Sequence, residues 1–112
     1  MTEFTKRAIR IIQSIPAGYV MTYGQVARLA GNHRAARIIV YILKNSSKKH
    51  NLPWHRVINR EGTIVIKDEE SNFLQRVLLE EEGVEVSNEG KVDLKKYQCT
   101  GSTDVEFEFD GI

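Results

Sequence analysis

From Thr2 to Leu43 the apolar residues recur at steps of three and four in three short runs, and the breaks between runs leave room only for tightly joined helices. The first run is Phe4, Ala8, Ile11, Ile12 and Ile15, with Lys6, Arg7 and Arg10 on other faces, and Ile15-Pro16-Ala17-Gly18 ends it. Tyr19-Val20-Met21 reads as a connector. Thr22, followed three positions later by Gln25, has the form of a capping box and starts a second helix, about Tyr23 to Ala30, which Gly31 stops. Asn32 is expected to cap a third helix, about His33 to Leu43, with Ala35, Ile38, Ile39, Ile42 and Leu43 on its buried side. Two short helices joined at a Gly-containing corner form a helix-turn-helix.

The other face of the third helix carries Arg34, Arg37, Tyr41 and Lys44 at steps of three, four and three. That pattern suits contact with nucleic acid and equally suits a solvated surface. The formal net charge of +1 hides a split, since residues 1–67 hold 12 Lys/Arg against 2 Asp/Glu and residues 68–112 hold 4 against 13. Unless the two halves interleave in space, one side of the molecule is drawn to polyanions.

Beyond the third helix the chain alternates short elements with loops. Asn45 to Asn51, with Lys48, Lys49 and His50, reads as a surface loop. Pro53 fixes its own φ and pushes Leu52 into extended geometry, so Trp54, the only Trp, is presented from a turn. Val57-Ile58 and Thr63-Ile64-Val65-Ile66 flank Asn59-Arg60-Glu61-Gly62 as a hairpin, and Lys67-Asp68-Glu69-Glu70 reads as a charged loop. A fourth helix, about Ser71 to Glu82, shows Phe73, Leu74, Val77 and Leu78 at helical spacing before Gly83. Val84-Glu85-Val86 and Val92-Asp93-Leu94 around Asn88-Glu89-Gly90 form a second hairpin, the expected wing. Residues 1–97 are thus expected to form one domain and residues 98–112 an acidic, mobile tail that includes the single Cys, Cys99. One Cys allows no internal disulfide, and no apolar run approaches the roughly 20 residues that span a bilayer. An intracellular protein is the expectation, in the cytoplasm or nucleoid of a bacterium or the nucleus of a eukaryote. No metal-ligand cluster or phosphate loop implies a cofactor.

Pro53-Trp54-His55-Arg56-Val57-Ile58 resembles the Pro-Cys-His-Arg-Val-Ile active-site signature of the O6-alkylguanine-DNA alkyltransferases, with Trp at the place of the acceptor Cys. Further matches fall in family order: Ile15-Pro16-Ala17-Gly18, Thr22-Tyr23-Gly24, Ala35-Ala36-Arg37, Gly62 and Leu78-Leu79 before Glu82-Gly83. The exchange of Cys for Trp identifies the alkyltransferase-like proteins. An indole has neither the charge nor the polarizability of a thiolate, so it cannot accept an alkyl group by displacement.

The resemblance implies a mainly α fold with short β-hairpins, a winged helix-turn-helix set in the minor groove of duplex DNA, and a flipped nucleotide. Arg37 looks like the arginine finger that fills the hole left by the flipped base, a role suited to a planar guanidinium. Tyr23 resembles the tyrosine that helps to rotate the target phosphate. Trp54, Tyr23, Val57, Asn59 and Lys67 are the implied lesion pocket, Lys67 standing where the alkyltransferase-like proteins place a basic residue facing the base. Arg34, Tyr41 and Lys44 join Tyr23 and Arg37 as DNA contacts. His55 and Glu82 match the proton relay of true alkyltransferases and, with no thiol to deprotonate, are expected to brace the loop under Trp54. Ile39-Val40-Tyr41 departs from the smaller Val-Gly usual on the groove face. The implied function is recognition of O6-alkylguanine without alkyl transfer, followed by hand-over to nucleotide excision repair proteins, by a protein acting as a monomer. Two other readings stay open: a winged-helix regulator that recognises a particular sequence and uses Trp54 only as core, and an alkyltransferase that uses Cys99.

Overall fold

The computed structural model describes residues 1–99, and its element order is set by where local capping chemistry meets apolar periodicity. Helix α1, Glu3–Gln13, begins at Thr2, whose side chain accepts from the Thr5 N–H at 3.1 Å, and buries Ala8, Ile9, Ile11 and Ile12. Strand β1 is Met21–Thr22, the segment just before it being Tyr19 and Val20. Helix α2, Tyr23–Leu29, opens with both halves of the capping box: the Gln25 N–H donates to Thr22 Oγ1 at 3.0 Å and the Thr22 N–H donates to Gln25 Oε1 at 3.2 Å.

Helix α3, Ala36–His50, differs from expectation at both ends. Asn32 does not cap it: its Oδ1 accepts from the Arg34 N–H at 3.0 Å, closing a local turn, and Ala35 at the cap makes no side-chain bond. At the far end the helix runs through the segment expected to be a loop. Asn45 donates to the Tyr41 carbonyl, Ser47 to the Leu43 carbonyl, and Lys48, Lys49 and His50 sit in the last turn, where cations favour the helix dipole. The polar side chains thus bond back along the helix, and termination waits for Asn51 in the left-handed conformation, with the Leu52 N–H on the Ser47 carbonyl.

After a single 3-10 turn, Trp54–Arg56, strand β2, Val57–Ile58, pairs in parallel with β1, Met21 opposite Val57 and Thr22 opposite Ile58. The expected hairpin between Val57-Ile58 and residues 63–66 is therefore absent, and the α2–α3 pair serves as the crossover that a parallel pairing needs. Alternation along these strands divides the core. Met21 and Val57 join one apolar cluster with α1, α2 and α3, while Val20 and Ile58 join a second with Ile64, Leu79, Val84, Val92 and Tyr97.

The expected wing is also rewired. Ser87 and Lys91 close a turn, but Thr63 bridges Lys91 and the Val92 N–H donates to the Gly62 carbonyl at 2.7 Å, so this segment pairs with residues 62–64. Gly62 is obligatory there: φ is +77° and an added Cβ would stand 2.4 Å from the Val92 carbonyl oxygen. Helix α4, Glu69–Glu81, starts earlier than expected because Asp68 accepts from the Ser71 N–H and hydroxyl, making a cap of what read as a charged loop. Leu94 belongs not to a strand but to helix α5, Leu94–Tyr97, capped by Asp93.

Gln98 and Cys99, read as the start of the tail, pack on the body. Val20 bridges Gln98, the Cys99 N–H donates to the Val20 carbonyl at 2.7 Å, and Cys99 is buried with the α1–α3 cluster. The acidic stretch expected to be mobile, from residue 100 on, lies outside the described residues. Among those described, no helix is long and apolar enough to cross a membrane.

Candidate nucleic-acid interface

Beside α3 the structure opens a cleft of about 650 Å³. Tyr23 at the start of α2, Leu43 and Lys44 from α3, and Trp54 with Val57 from the turn form its walls. Lys67 closes it from the segment that leads into α4, next to Asp68 and Ser71. Each wall is placed by a feature already described: the capping box orients Tyr23, Pro53 turns Trp54 out of the strand path, and the Asp68 cap fixes Lys67 beside α4. A cleft of this volume with a mainly apolar lining and a few polar groups suits a flat ring system.

Four of the five expected pocket residues, Trp54, Tyr23, Val57 and Lys67, meet in this cleft. Asn59 does not line it. Its Oδ1 accepts from the Glu61 N–H at 3.1 Å and the Thr63 N–H at 2.7 Å, so it shapes the turn that leads to Gly62. Lys44, expected among the DNA contacts, also lines the cleft, as does the half-exposed Val40. Arg34, Arg37 and Tyr41 stand exposed along the outer face of the helix-turn-helix. Ile38, expected in the core, is also exposed, because at 100° per residue it lies 100° round the helix from the buried Ile39, at the rim of the covered side. Burial raises the Tyr23 phenol above its ordinary pKa, which keeps it a hydrogen-bond donor across the usual pH range.

Behind Trp54 lies a polar lock. Glu82 accepts from His55 Nε2 at 2.8 Å, from Arg56 Nη2 at 2.7 Å and Nε at 3.0 Å, and from the Gly18 N–H at 3.2 Å. Arg56 also donates to the Ile15 carbonyl at 2.7 Å, tying the turn to the end of α1. Burial pushes the Glu82 carboxyl up, but hydrogen bonds from Arg56, His55 and Gly18 prevail and hold it at about 2. Facing an ionised carboxylate, His55 Nε2 is the donor. The Trp54 ring meets His55 edge-on, with centroids 6.2 Å apart and planes at 85°. From α4, the Gln75 amide donates to the carbonyls of both His55 and Val57 at 3.1 Å.

The His55–Glu82 contact joins the two residues that the sequence paired. Arg56 and Gln75 were missed. Arg56 had a signal, standing between His55 and Val57 in the signature, whereas Gln75 had none, since a Gln inside an amphipathic helix reads as surface.

A helix-turn-helix with a walled cleft beside its second helix, and a braced turn at the cleft floor, is the arrangement of a DNA-binding domain with room beside its second helix for a flat ring. A sequence profile of the 6-O-methylguanine DNA methyltransferase DNA-binding domain matches residues 3–84. The chain is 47% identical over 96 residues to the DNA base-flipping protein of Escherichia coli K12, spanning 86% of this chain and 74% of that one. It is 38% identical over 102 residues to alkyltransferase-like protein 1 of Schizosaccharomyces pombe, spanning 87% and 94%. A crystal structure of that yeast protein, in complex with damaged DNA containing O6-carboxymethylguanine, superposes with a TM-score of 0.75 at 37% identity, covering 88% of this chain and 95% of the other. The Mycobacterium tuberculosis O6-methylguanine methyltransferase superposes with a TM-score of 0.62 at 27% identity, over 85% of this chain and 55% of its own. The chain belongs to the alkyltransferase-like branch of the O6-alkylguanine-DNA alkyltransferase family.

Proposed function

We propose that this protein binds duplex DNA through α2 and α3, flips O6-alkylguanine into the cleft beside Trp54, and holds the base without alkyl transfer. The observation that carries this reading is the convergence of Tyr23, Trp54, Val57 and Lys67 on one cleft next to the basic outer face of α3. Arg37 enters the base stack in place of the extruded nucleotide, and Arg34 and Tyr41 contact the backbone. The fold adds discrimination in two stages. Exposed cations supply salt-sensitive, sequence-neutral attraction, and the cleft then selects a base whose pairing is already weakened.

Retention without turnover follows from the residues at the cleft floor. Trp54 offers a face for stacking and no thiolate. His55 and Glu82 are engaged in holding the turn, so the groups that would relay a proton in a transferase here fix the floor. Cys99 is buried against α1–α3 on the other side of β1, away from the lining of the cleft. Hand-over of the bound lesion to nucleotide excision repair proteins, by a monomer, completes the reading; it draws support from the family alone.

Titration of matched duplexes with and without O6-methylguanine, read by Trp54 emission, tests it. The lesion duplex is expected to bind at least tenfold more tightly and to quench Trp54, with no mass added to the protein afterwards. Equal affinity for the two duplexes, or label on Cys99 that Cys99→Ser removes, overturns the reading.

A further inference from the structure

Helix α4 is built inside out. Its buried residues are Gln75, only 1% exposed, and Leu79, whereas Phe73 is 65% and Leu74 46% exposed. At 100° per residue, Phe73, Leu74 and Val77 share one side of the helix with Glu70 and Glu81, and all of that side but the half-buried Val77 is exposed. The inner side explains the inversion in part: Gln75 is needed under the Trp54 turn, and Ser71 lines the cleft. Nothing inside the described structure explains the outer side. Phe73 and Leu74, the first half of the apolar run at helical spacing, form an exposed strip bounded by exposed Glu69 and Glu70 at one end and Glu80 and Glu81 at the other. The one basic residue of α4, Arg76, is turned aside to the carbonyls of Val86 and Ser87.

We infer that this face of α4 is a docking surface for a protein segment with an apolar anchor flanked by Lys or Arg. Charge decides among the occupants. Duplex DNA is repelled by the four carboxylates, which therefore turn α4 away from the polyanion that the α3 face attracts. A second copy brings glutamates against glutamates. The residues after Cys99 carry Asp104, Glu106, Glu108 and Asp110 and meet the same repulsion. A basic, apolar-anchored partner satisfies both the strip and its rim, with like-charge mismatch excluding the wrong sign. Because α4 also holds the Trp54 turn through Gln75, such a partner sits on the helix that reaches the occupied cleft, while the duplex lies on another face.

The test uses the isotopically labelled full chain and a synthetic helical peptide whose Leu-Phe stripe is flanked by Lys, with a second peptide in which each Lys is Glu. The basic peptide is expected to shift the amides of Glu70, Phe73, Leu74, Val77 and Glu81 and to leave Arg37 and Tyr41 unmoved, with or without bound duplex. A Phe73→Ser, Leu74→Ser double variant is expected to weaken that peptide at least tenfold while staying folded, with only a small fall in melting temperature and with its DNA affinity kept, since neither side chain belongs to either apolar cluster. The inference is overturned by equal binding of the acidic peptide or by shifts confined to α3. It is equally overturned by contacts from Phe107 or Phe109 onto Phe73 in the peptide-free protein, or by self-association that the double variant abolishes. None of these outcomes bears on lesion binding, which the duplex titration decides separately.

Discussion

The turn under Trp54 and the outer face of α3 lie on either side of one cleft and are built on opposite plans. In the turn the charged groups and the Gln75 amide N–H are engaged inward: Glu82 with His55, Arg56 and Gly18, Arg56 with the Ile15 carbonyl, Gln75 Nε2 with two backbone carbonyls. On α3 and the turn before it, among the described residues, the side chains of Arg34, Arg37 and Lys44 enter no ion pair, and Ile38, Val40 and Tyr41 stand exposed between Arg37 and Lys44, Tyr41 at 67%. Groups satisfied within the fold fix geometry. Groups left open are available to a ligand, and breaking them should cost binding without costing the fold.

The sharpest break of this contrast is Glu82→Ala. Removing the carboxylate strands His55 and Arg56 at a mostly buried site, and the expected loss is about 3 kcal/mol of unfolding free energy by urea titration. A loss under about 0.5 kcal/mol would refute the lock. The same group gives a pH signature. Its carboxyl is depressed to about 2, so its contribution is complete above the usual Glu range and declines as pH falls through about 2. Stability of the native chain should therefore drop on acidification more steeply than that of Glu82→Gln, whose melting curve is measured alongside.

Gly62→Ala comes next, at about 2 kcal/mol, because the new methyl meets the Val92 carbonyl at a positive φ and must part residues 62–64 from 90–92. Arg37→Ala is the converse experiment. Its melting temperature should stay within the equivalent of about 0.5 kcal/mol of the parent, while affinity for lesion duplex falls about tenfold, close to 1.4 kcal/mol. A destabilised Arg37→Ala would erase the distinction between the two regions. The smallest effect is expected for Lys44→Gln. If Lys44 acts within the cleft, the slope of log affinity against log salt should hardly change; a reduction of about one would make it a phosphate contact.

How these regions appear in the sequence follows the same division. The Pro53–Ile58 turn, the Thr22–Gln25 capping box and the stops at Gly31 and Gly83 were legible because each is a bargain struck among neighbours within a few residues. The cleft was legible only through the family pattern, which brought Trp54, Tyr23, Val57 and Lys67 together and misplaced Asn59. Local chemistry explains that error: an Asn two residues before a backbone N–H in need of an acceptor closes a turn more readily than it faces a pocket. The length of α3 was missed since polar residues read as loop until their side chains are seen bonding back to the Tyr41 and Leu43 carbonyls.

By itself the sequence determined where α2 begins, that the chain turns at Pro53 and stops a helix at Gly83, and that the residue at the acceptor position is an indole. Tertiary structure alone decided that Val57-Ile58 pairs with Met21-Thr22, that Gln75 goes in while Phe73 stays out, and that Cys99 is buried. Those choices compare burial across distant segments, and the free energy of removing one apolar surface from water depends on which other surface is there to cover it.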